Sequence, residues 1–425
     1  MKKLLGVMKK NRLPAAVIFS FWWTLLPCHA MADVLNDLTE SIKSGTPTLS
    51  LRLGYEHSDV DNNGTDAATG FNLQTRVGYR TGQFVSTAAY IQFQNVTNLV
   101  EDFRYTHDGR AEGNPGRDVI LDPDGSRVQQ AYLDYTMIPG TTIRLGRQEI
   151  ILDNQRLIGN IGWRQNGQTF DAVSLTNKSI QDVTFFAAYI NEVNTILLDN
   201  RVDGARELDS LILLNAGYFG IKDHDIIAFC YLLDTDNQTI ASRDSATCGF
   251  RFTGARGLLN YAFDYAIQSD YEDSENQDGS MFNAFLGAKI KMFDVGGGYS
   301  YISGRDGNDR SFDTLFSTVH KFNGWADQFA ATSGGGVING LEDTYCQAST
   351  RLWGARLMAR YHYFNTTENS TFDGKYGDEL DFLVTKKLNN NLSCLLKSAF
   401  YNAHGGATNP TMDENVFWAR FQYTF

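Results

Sequence analysis

The chain has 425 residues, a formal net charge of −12 and a mean hydropathy of −0.30, and it carries 20 Tyr and 28 Phe together with 39 Gly and only 7 Pro. So many aromatic residues exclude a disordered chain as the default, because disordered chains bury little apolar surface. No stretch after residue 32 approaches the run of about 18 apolar residues that a spanning helix needs, which excludes a helical membrane bundle, and the acidic balance argues against nucleic acid as a partner.

Residues 1–32 have the pattern of a secretory signal peptide. The apolar stretch from Leu13 to Pro27 is short for a membrane span, and the small residues of Ala30-Met31-Ala32 predict cleavage before Asp33. A short membrane anchor and a lipidated Cys28 are the alternatives. The leader contains five basic residues and no acid, so the mature charge is −17. Its basic residues are Lys2, Lys3, Lys9, Lys10 and Arg12.

After the leader, residues 33–47 are expected to form a short periplasmic N-terminal segment, and from residue 48 the dominant period of the sequence is two, as in β-strands. In segment 417–425, for example, Phe, Ala and Tyr alternate with Trp, Arg, Gln and Thr. The polar face holds Arg, Gln, Asn and Gly, which is typical of a water-filled lumen. The apolar face is rich in Tyr and Phe near the segment ends, as the interfacial girdle of a membrane barrel is.

The segments and their connections predict an all-β fold, a single transmembrane antiparallel barrel of about eighteen strands that occupies residues 48–425. Short connections such as Thr81-Gly82 and Trp353-Gly354 alternate with long polar ones such as 94–127 and 304–342, which is typical of tight periplasmic turns and long outer loops. The predicted strands lie near 48–57, 69–80, 83–93, 128–137, 141–149, 168–176, 182–191, 210–219, 224–234, 243–253, 258–271, 279–291, 293–303, 343–352, 355–365, 376–386, 391–402 and 413–425.

Arginines on the polar faces are the candidate pore-lining residues. A charged side chain that faced lipid near mid-bilayer would cost about 2–4 kcal/mol, so these residues are expected to point into the lumen. They form a basic path for an anionic solute in one interpretation; in the other they pair with lumen acids such as Glu56, Asp134, Asp264, Glu379 and Asp381 and brace the wall. The set is Arg52, Arg76, Arg144, Arg251, Arg351, Arg356, Arg360 and Arg420.

The segment from Leu145 to Asp171 leaves one predicted strand and reaches the next. It carries Arg147, Arg156 and Arg164 among many amides and glycines, a composition that suits a loop folded into the pore as its constriction. An ordinary surface loop is the alternative, although the apolar residues of this segment favour burial.

The same segment closely resembles the run that is characteristic of the alginate-export family of outer-membrane channels. A second run, from His320 to Asp327, is also similar to that family. The resemblance implies an eighteen-stranded, monomeric barrel with an electropositive constriction; in the alginate exporter itself such a pore passes a polyuronate outward. By analogy the constriction candidates are Arg144, Arg147, Arg156, Arg164 and Asp153.

Other motifs give weaker predictions. The segments Asp59–Thr65, Asp122–Gly125 and Asp306–Asp309 are mostly turn chemistry, so no cofactor is expected beyond Ca²⁺ in surface loops. Cys230 and Cys248 are predicted on the apolar faces of neighbouring strands, either as a cross-strand disulfide or, preferably, as two lipid-facing thiols.

We therefore expect an outer-membrane porin, not an enzyme, that passes small anions or an anionic polysaccharide such as alginate. Its expected partners are the lipid and lipopolysaccharide of the bacterial outer membrane, and the outer-membrane assembly machinery through the C-terminal Phe425. A closed structural or adhesive barrel is the main alternative. A barrel hydrolase is a further one, for which His57 and His362 are the only strand histidines that could serve.

Overall fold

The computed structural model describes residues 28–105, 113–198, 205–235, 243–330, 336–368, 374–404 and 409–425. One helix precedes eighteen strands. In chain order the elements are α1 (Cys28–Lys43), β1 (Thr46–Val60), β2 (Ala68–Arg80), β3 (Thr87–Asp102), β4 (Gly125–Tyr135), β5 (Thr141–Gln148), β6 (Thr169–Asn177), β7 (Val183–Asn194), β8 (Ala205–Ile221), β9 (His224–Thr235), β10 (Ser245–Arg256), β11 (Leu259–Ser269), β12 (Gly279–Ile290), β13 (Phe293–Ile302), β14 (Leu341–Leu352), β15 (Ala355–Asn365), β16 (Lys375–Lys387), β17 (Leu392–Ala403) and β18 (Glu414–Thr424).

The strands form one closed antiparallel barrel. Each strand pairs with the next along the chain, and β18 pairs with β1, so that Leu53 lies between Phe421 on one side and Leu73 on the other. Closure leaves no strand edge with unpaired backbone groups, which is the condition for a sheet to exist in lipid. The predicted fold, an antiparallel barrel of eighteen strands, is confirmed.

The alternation of side chains separates a buried lumen face from an exposed apolar outer face. On β1, Arg52, Glu56 and Ser58 are buried inside the barrel. On the outside, Leu145 and Leu286 are 56% and 58% exposed, and similar residues surround the barrel. An apolar band of this size is unfavourable in water and is the expected surface towards lipid. Among the described residues, no helix is long and apolar enough to cross a membrane.

Short and long connections lie at opposite ends of the barrel, as predicted. Two-residue turns join β10 to β11 and β14 to β15. In the second turn Trp353 and Gly354 both have positive φ, of 50° and 78°, which is the backbone of a tight hairpin turn. The long connections include 149–168 and 303–340, and their described residues 149–168 and 311–330 enter the barrel.

The third strand is where the structure differs most from the predicted bounds. The sequence places it at 83–93, whereas β3 runs from Thr87 to Asp102. Val85 and Ser86 take positive φ values of 46° and 58° and form the turn. Beyond Phe93 the outer face becomes polar, with Asn95 donating to Ser126 at 2.8 Å. Val96 is buried on the lumen side while the polar Asn95 lies outside, so the apolar-outside alternation that marks a strand in the sequence is lost there.

The helix α1 lies at the short-turn end of the barrel. The backbone N–H of Gly82 donates to the carbonyl of Ser41 at 2.8 Å, and the Ser41 hydroxyl donates to the carbonyl of Gly82 at 2.7 Å. The helix spans the predicted cleavage site before Asp33, and most of the predicted periplasmic segment 33–47 is helical. Cleavage itself stays a prediction.

Cys230 on β9 and Cys248 on β10 lie directly opposite each other and are joined by a disulfide. The preferred sequence interpretation, two free thiols, is therefore wrong in this structure, because the register places the two side chains on the same rung of the outer face. Cys346 and Cys394 are free.

Candidate functional site

Two connections fold into the barrel and meet inside it. We name them the first lumen segment (149–168) and the second lumen segment (311–330). The first reaches opposite walls: Arg52 of β1 donates to the carbonyls of Gly162 and Arg164 at 3.0 and 3.1 Å, while Arg156 donates to Asn283 of β12 at 3.2 Å. A segment bonded to both β1 and β12 must cross the lumen.

The two lumen segments also bind each other through their backbones. The N–H of Gly159 donates to the carbonyl of Phe316 at 2.9 Å, and the N–H of Phe316 donates to the carbonyl of Leu157 at 3.0 Å. A further bond joins the N–H of Thr318 to the carbonyl of Gln155 at 3.0 Å. The segments therefore form one internal unit, and its backbone polar groups are satisfied away from bulk water.

An apolar core fixes this unit to the barrel wall. Apolar side chains of both segments pack against the lumen faces of strands β6 to β9 and β11 to β13, and Phe329 of the second segment packs against Phe364, Tyr376 and Tyr401 of β15 to β17. The two segments therefore occupy much of the lumen, and any solute path past them is narrow. The core includes Leu157, Ile158, Phe170, Ile190, Leu211, Leu213, Phe229, Leu233, Met281, Ile302, Phe312, Leu315 and Phe316.

Several of the sequence-predicted arginines are paired with carboxylates. Arg144 binds both oxygens of Asp134 at 2.7 and 3.1 Å, and Arg251 binds Asp264. Arg76 lies 3.3 Å from Glu149. For these residues the bracing interpretation holds in the structure, because each positive charge is offset by an adjacent negative one.

Arg164 belongs to the paired group as well, and it links the first lumen segment to the wall and to the second segment. It binds both oxygens of Glu56 at 2.9 and 3.1 Å and reaches Asp327 at 3.1 Å. Burial alone lowers the pKa of a guanidinium, but the surrounding acids Glu56, Asp122 and Asp327 outweigh it and raise the pKa of Arg164. Its charge is therefore permanent.

The remaining predicted arginines form no ion pair with any described residue. They bind neutral acceptors instead: Arg420 donates to the carbonyl of Trp163 at 2.8 Å, and Arg360 donates to the Gln347 amide oxygen at 2.7 Å. Arg351 and Arg356 are directly opposite each other across the β14–β15 hairpin, an arrangement that repels unless an anion lies between them. The group comprises Arg52, Arg156, Arg351, Arg356, Arg360 and Arg420.

Two predicted residues have different surroundings. Arg147 lies in register with Asp171 of β6, binds it at 2.8 and 3.0 Å and reaches Glu192 at 3.3 Å. It points to the same outer face as the exposed Leu145, because the strand alternates and Gln148 points inward. The lumen prediction for Arg147 is therefore wrong, since the alternation of β5 continues through it. Asp153 lies in the first lumen segment and accepts a hydrogen bond from Asn215 at 3.0 Å.

Charge is distributed unevenly along the lumen face of strands β14 to β18. Cations lie nearer the short-turn end of β14, β16 and β18, at Arg351, Lys387 and Arg420, whereas the carboxylates of the same strands lie nearer the long-loop end. We name the lumen cations of strands β14 to β18 and β1 the basic wall. Its members are Arg52, Arg351, Arg356, Arg360, Lys387, Lys397 and Arg420.

Different cavities lie at the two ends of this lumen face. At the short-turn end, a cavity of about 700 Å³ is lined by five cations, and among the described residues its lining includes no Asp or Glu. At the long-loop end, a cavity of about 280 Å³ is lined by Glu56, Asp118, Asp327 and Glu414 together with Arg104 and Arg164. The cations of the first cavity are Arg351, Arg356, Lys386, Lys387 and Arg420.

A buried lysine between tryptophans holds the second lumen segment against the basic wall. The Lys397 ammonium lies 3.7 Å from the ring centre of Trp325 and 4.1 Å from that of Trp163, and Trp163 in turn stacks on His320 at 4.3 Å. Lys397 donates to His320 Nε2. We name Lys397, Trp163, Trp325 and His320 the tryptophan latch. Lys397 is not among the pore residues predicted from the sequence. Only its position on the polar face of a predicted strand indicates that it faces the lumen.

The chemistry of the latch requires a neutral imidazole. His320 Nδ1 donates to Asp327 at 2.9 Å while Nε2 accepts from Lys397, and a protonated ring could not accept. Burial lowers the pKa of His320 to about 3, although Asp327 acts in the opposite direction. Burial by itself raises the pKa of Asp327, but His320 and Arg164 outweigh it and lower that pKa.

Backbone contacts add to the latch. Glu379 of β16 accepts hydrogen bonds from the N–H groups of Trp325 and, at 3.1 Å, Ala326. Gln328 donates to Glu414 of β18. The second lumen segment is therefore held on this side by charged and polar groups in addition to the aromatic contacts of Phe329.

The remaining predicted motifs have structural partners. Asp118 accepts from the N–H of Val60 at 2.9 Å and orders the turn after β1, and Asp122 accepts from the N–H of Gln165 at 2.7 Å. Calcium in these loops stays a prediction. His57 contacts Thr69, and His362 contacts Asp343 at 2.8 Å; neither contact includes the serine that a hydrolytic triad requires.

Comparisons with known proteins agree with this geometry. A family model described as alginate export matches residues 48–332. No curated protein sequence matches the chain. Among solved structures, OccAB4 of Acinetobacter baumannii is similar with a TM-score of 0.68 at 13% identity, over 90% of this chain and 98% of that one.

Two structures from Pseudomonas aeruginosa are similar as well. OpdQ matches with a TM-score of 0.64 at 17% identity, over 91% of this chain and 99% of its own. OpdK, solved with vanillate, matches with a TM-score of 0.65 at 13% identity, over 90% and 99%. At these identities the likeness concerns the fold.

Proposed function

The chain belongs to the alginate export family, and from that premise we propose that it is an outer-membrane channel through which anionic solutes pass down their gradient. One observation carries the proposal: six of the predicted pore arginines form no ion pair with a described carboxylate, and five of these six belong to the basic wall. A charge that is offset locally contributes little potential at a distance, whereas an isolated one attracts counter-ions into the pore.

The mechanism follows from the order of charges along the path. An anion at the short-turn end would meet a cavity lined by five cations, where the potential raises its local concentration. Arg360 and Lys397 come next, beside the acids Glu379 and Asp381 of β16. These acids would keep the binding weak enough for release, which conduction requires as much as attraction.

The two lumen segments occupy much of the barrel interior, which favours a narrow path and a slender solute. A monosaccharide carboxylate such as a uronate, or a single extended polyuronate chain, has the required chemistry: carboxylates for the planar guanidinium groups and hydroxyls for the amides. The fold relative OpdK was solved with vanillate, which is also a carboxylate.

A closed structural or adhesive barrel is the second candidate, favoured by the two lumen segments and their apolar core. The two functions differ in one measurable property, because only a channel passes ions and solutes through a bilayer. A channel that opens only on displacement of the second lumen segment would be intermediate between them.

Uptake by proteoliposomes tests the proposal. Liposomes that contain the purified protein would be diluted into isotonic sodium glucuronate or glucose, two solutes of similar size that differ in charge, and their swelling rates compared. We expect glucuronate to enter faster than glucose, with protein-free liposomes as the control. Equal rates would remove the anion preference, and no swelling in either solute would favour the closed barrel.

A further inference from the structure

The helix α1 carries an apolar stripe that the described part of the chain leaves exposed. Leu35, Leu38 and Ile42 are 49%, 38% and 50% exposed, and their spacing places them on one face of the helix. The opposite face is polar and includes Asn36 and Glu40. Three large exposed apolar side chains in a row need a partner, since a water-facing helix would be polar there.

The position of α1 restricts which partner can reach this stripe. Hydrogen bonds join Ser41 to Gly82 in both directions, and the Tyr79 hydroxyl donates to the carbonyl of Ile42. Only Ser44 and Gly45 separate the helix from β1. The C-terminal end of α1 is therefore fixed at the rim of the barrel, where the outer apolar band ends.

The surroundings of that rim are continuous with the lipid-facing band. Tyr79 and Val77 lie on the outer face of β2, and Val77 is 51% exposed. Val85, in the turn that follows, is 67% exposed. The C-terminal end of the stripe, at Ile42, thus adjoins the apolar outer face of β2.

From this continuity we propose that α1 is an interfacial helix, which lies in the periplasmic leaflet with Leu35, Leu38 and Ile42 among the acyl chains. The inference rests on the membrane location in the proposed function. The polar face carries Asp33, Asp37 and Glu40, so attraction to anionic headgroups is not the source of binding. Apolar burial and the tether to β1 hold the helix in place.

Collision experiments with a nitroxide label test the proposal in bilayers. Cys28, Cys346 and Cys394, the three cysteines outside the disulfide, would be replaced by Ser, and a label introduced at Leu38→Cys. Asn36→Cys on the polar face is the matched control, and Phe382→Cys on the outer face of β16 is the reference for lipid. Accessibility to oxygen, which dissolves in lipid, is compared with that to a water-soluble nickel chelate. Ile42→Cys is a second probe if the first variant fails to assemble.

We expect the label at Leu38 to favour oxygen severalfold more than the label at Asn36 and to approach the value at Phe382. Equal nickel accessibility at Leu38 and Asn36 would overturn the proposal, since the stripe would then face water. Shielding of Leu38 from both reagents would overturn it in favour of a protein partner. If the Phe382 label itself favours nickel, the membrane location in the proposed function fails and the inference fails with it.

Discussion

At the scale of single residues, the arginines of this barrel divide by partner, and the division decides what each can do. Arg251 and Asp264 cancel each other within the wall. Arg351 and Arg356, opposite each other and without a carboxylate among the described residues, leave two net charges beside the short-turn cavity. A unit charge about 4 Å from a passing ion contributes about 1 kcal/mol in a water-like medium. The arginines without a paired carboxylate therefore set the ion selectivity.

The double variant Arg351→Gln and Arg356→Gln is therefore expected to lower the anion-to-cation permeability ratio severalfold. The measurement is the reversal potential in a salt gradient. The double variant Arg251→Gln and Asp264→Asn also removes two charged groups but leaves the net charge unchanged, so its ratio should stay near that of the unmodified protein. An equal effect of both variants would contradict the division.

Lys397 is the second residue with a specific expectation. In Lys397→Met the side chain keeps its apolar length but loses its contacts with Trp163, Trp325 and His320. Desolvated cation–π contacts are worth about 2 kcal/mol, so the second lumen segment should leave the wall more often. Single-channel recordings should show larger or more frequent openings, with Lys291→Met in an exposed turn as the control; unchanged recordings would show that the latch does not limit the pore.

At the scale of elements, the second lumen segment is held in two different ways. On one side Phe312, Leu315 and Phe316 belong to an apolar core that pH does not affect. On the other side it is held by the aromatic contacts of Phe329 and also by His320, Asp327 and their charged partners, which pH does affect. Because His320 is neutral in this arrangement, acid should loosen one side of the segment and leave the other fixed.

The pH dependence of opening follows from the pKa of His320. Its value of about 3 in the structure lies below the ordinary 6.5, so the latched state is fully stable above pH 6.5 and is weakened as pH falls from there towards 3. Each pH unit in that range costs up to about 1.4 kcal/mol. Conductance should rise with acidification.

The variant His320→Gln isolates this contribution, because its amide can donate to Asp327 and accept from Lys397 but does not titrate. We expect a flatter dependence of conductance on pH between 7 and 4 than in the unmodified protein. Identical curves for the two proteins would assign the pH response to other groups near the latch, such as Glu56 or Asp327.

The sequence predicts the strands and the lumen location of 149–168, but not the contacts that join the two lumen segments to the wall. Alternation within β18, for example, depends only on lipid outside and water inside, so it is visible residue by residue. The contact between His320 and Lys397 joins residues 77 positions apart and depends on register around the barrel. Composition predicts the lumen location of 149–168. It does not predict the outward position of Arg147, because that position follows from the alternation of β5, which continues to Gln148.

At the scale of the whole molecule, an acidic chain contains a basic path because charge is sorted by position. Acids dominate the cavity at the long-loop end, with Glu56, Asp118, Asp327 and Glu414 against two arginines. Five cations line the short-turn end. A pore with opposite fixed charges at its two ends admits anions from one side and cations from the other.

Such a pore should rectify. When the periplasmic side is negative, anions enter from the basic end and cations from the acidic end, so carriers accumulate and the current is larger. Protein inserted in one orientation should give a larger current at this polarity in low salt, and the asymmetry should shrink at about 1 M salt, where screening acts within about 3 Å. A symmetric current at low salt would contradict the sorted charge.

The central claim is anion conduction along the basic wall, and the reversal potential of the unmodified protein in a planar bilayer under a KCl gradient tests it most directly. The account predicts a reversal potential towards the equilibrium potential of chloride. A reversal potential towards that of potassium, or the absence of any conductance, would contradict it.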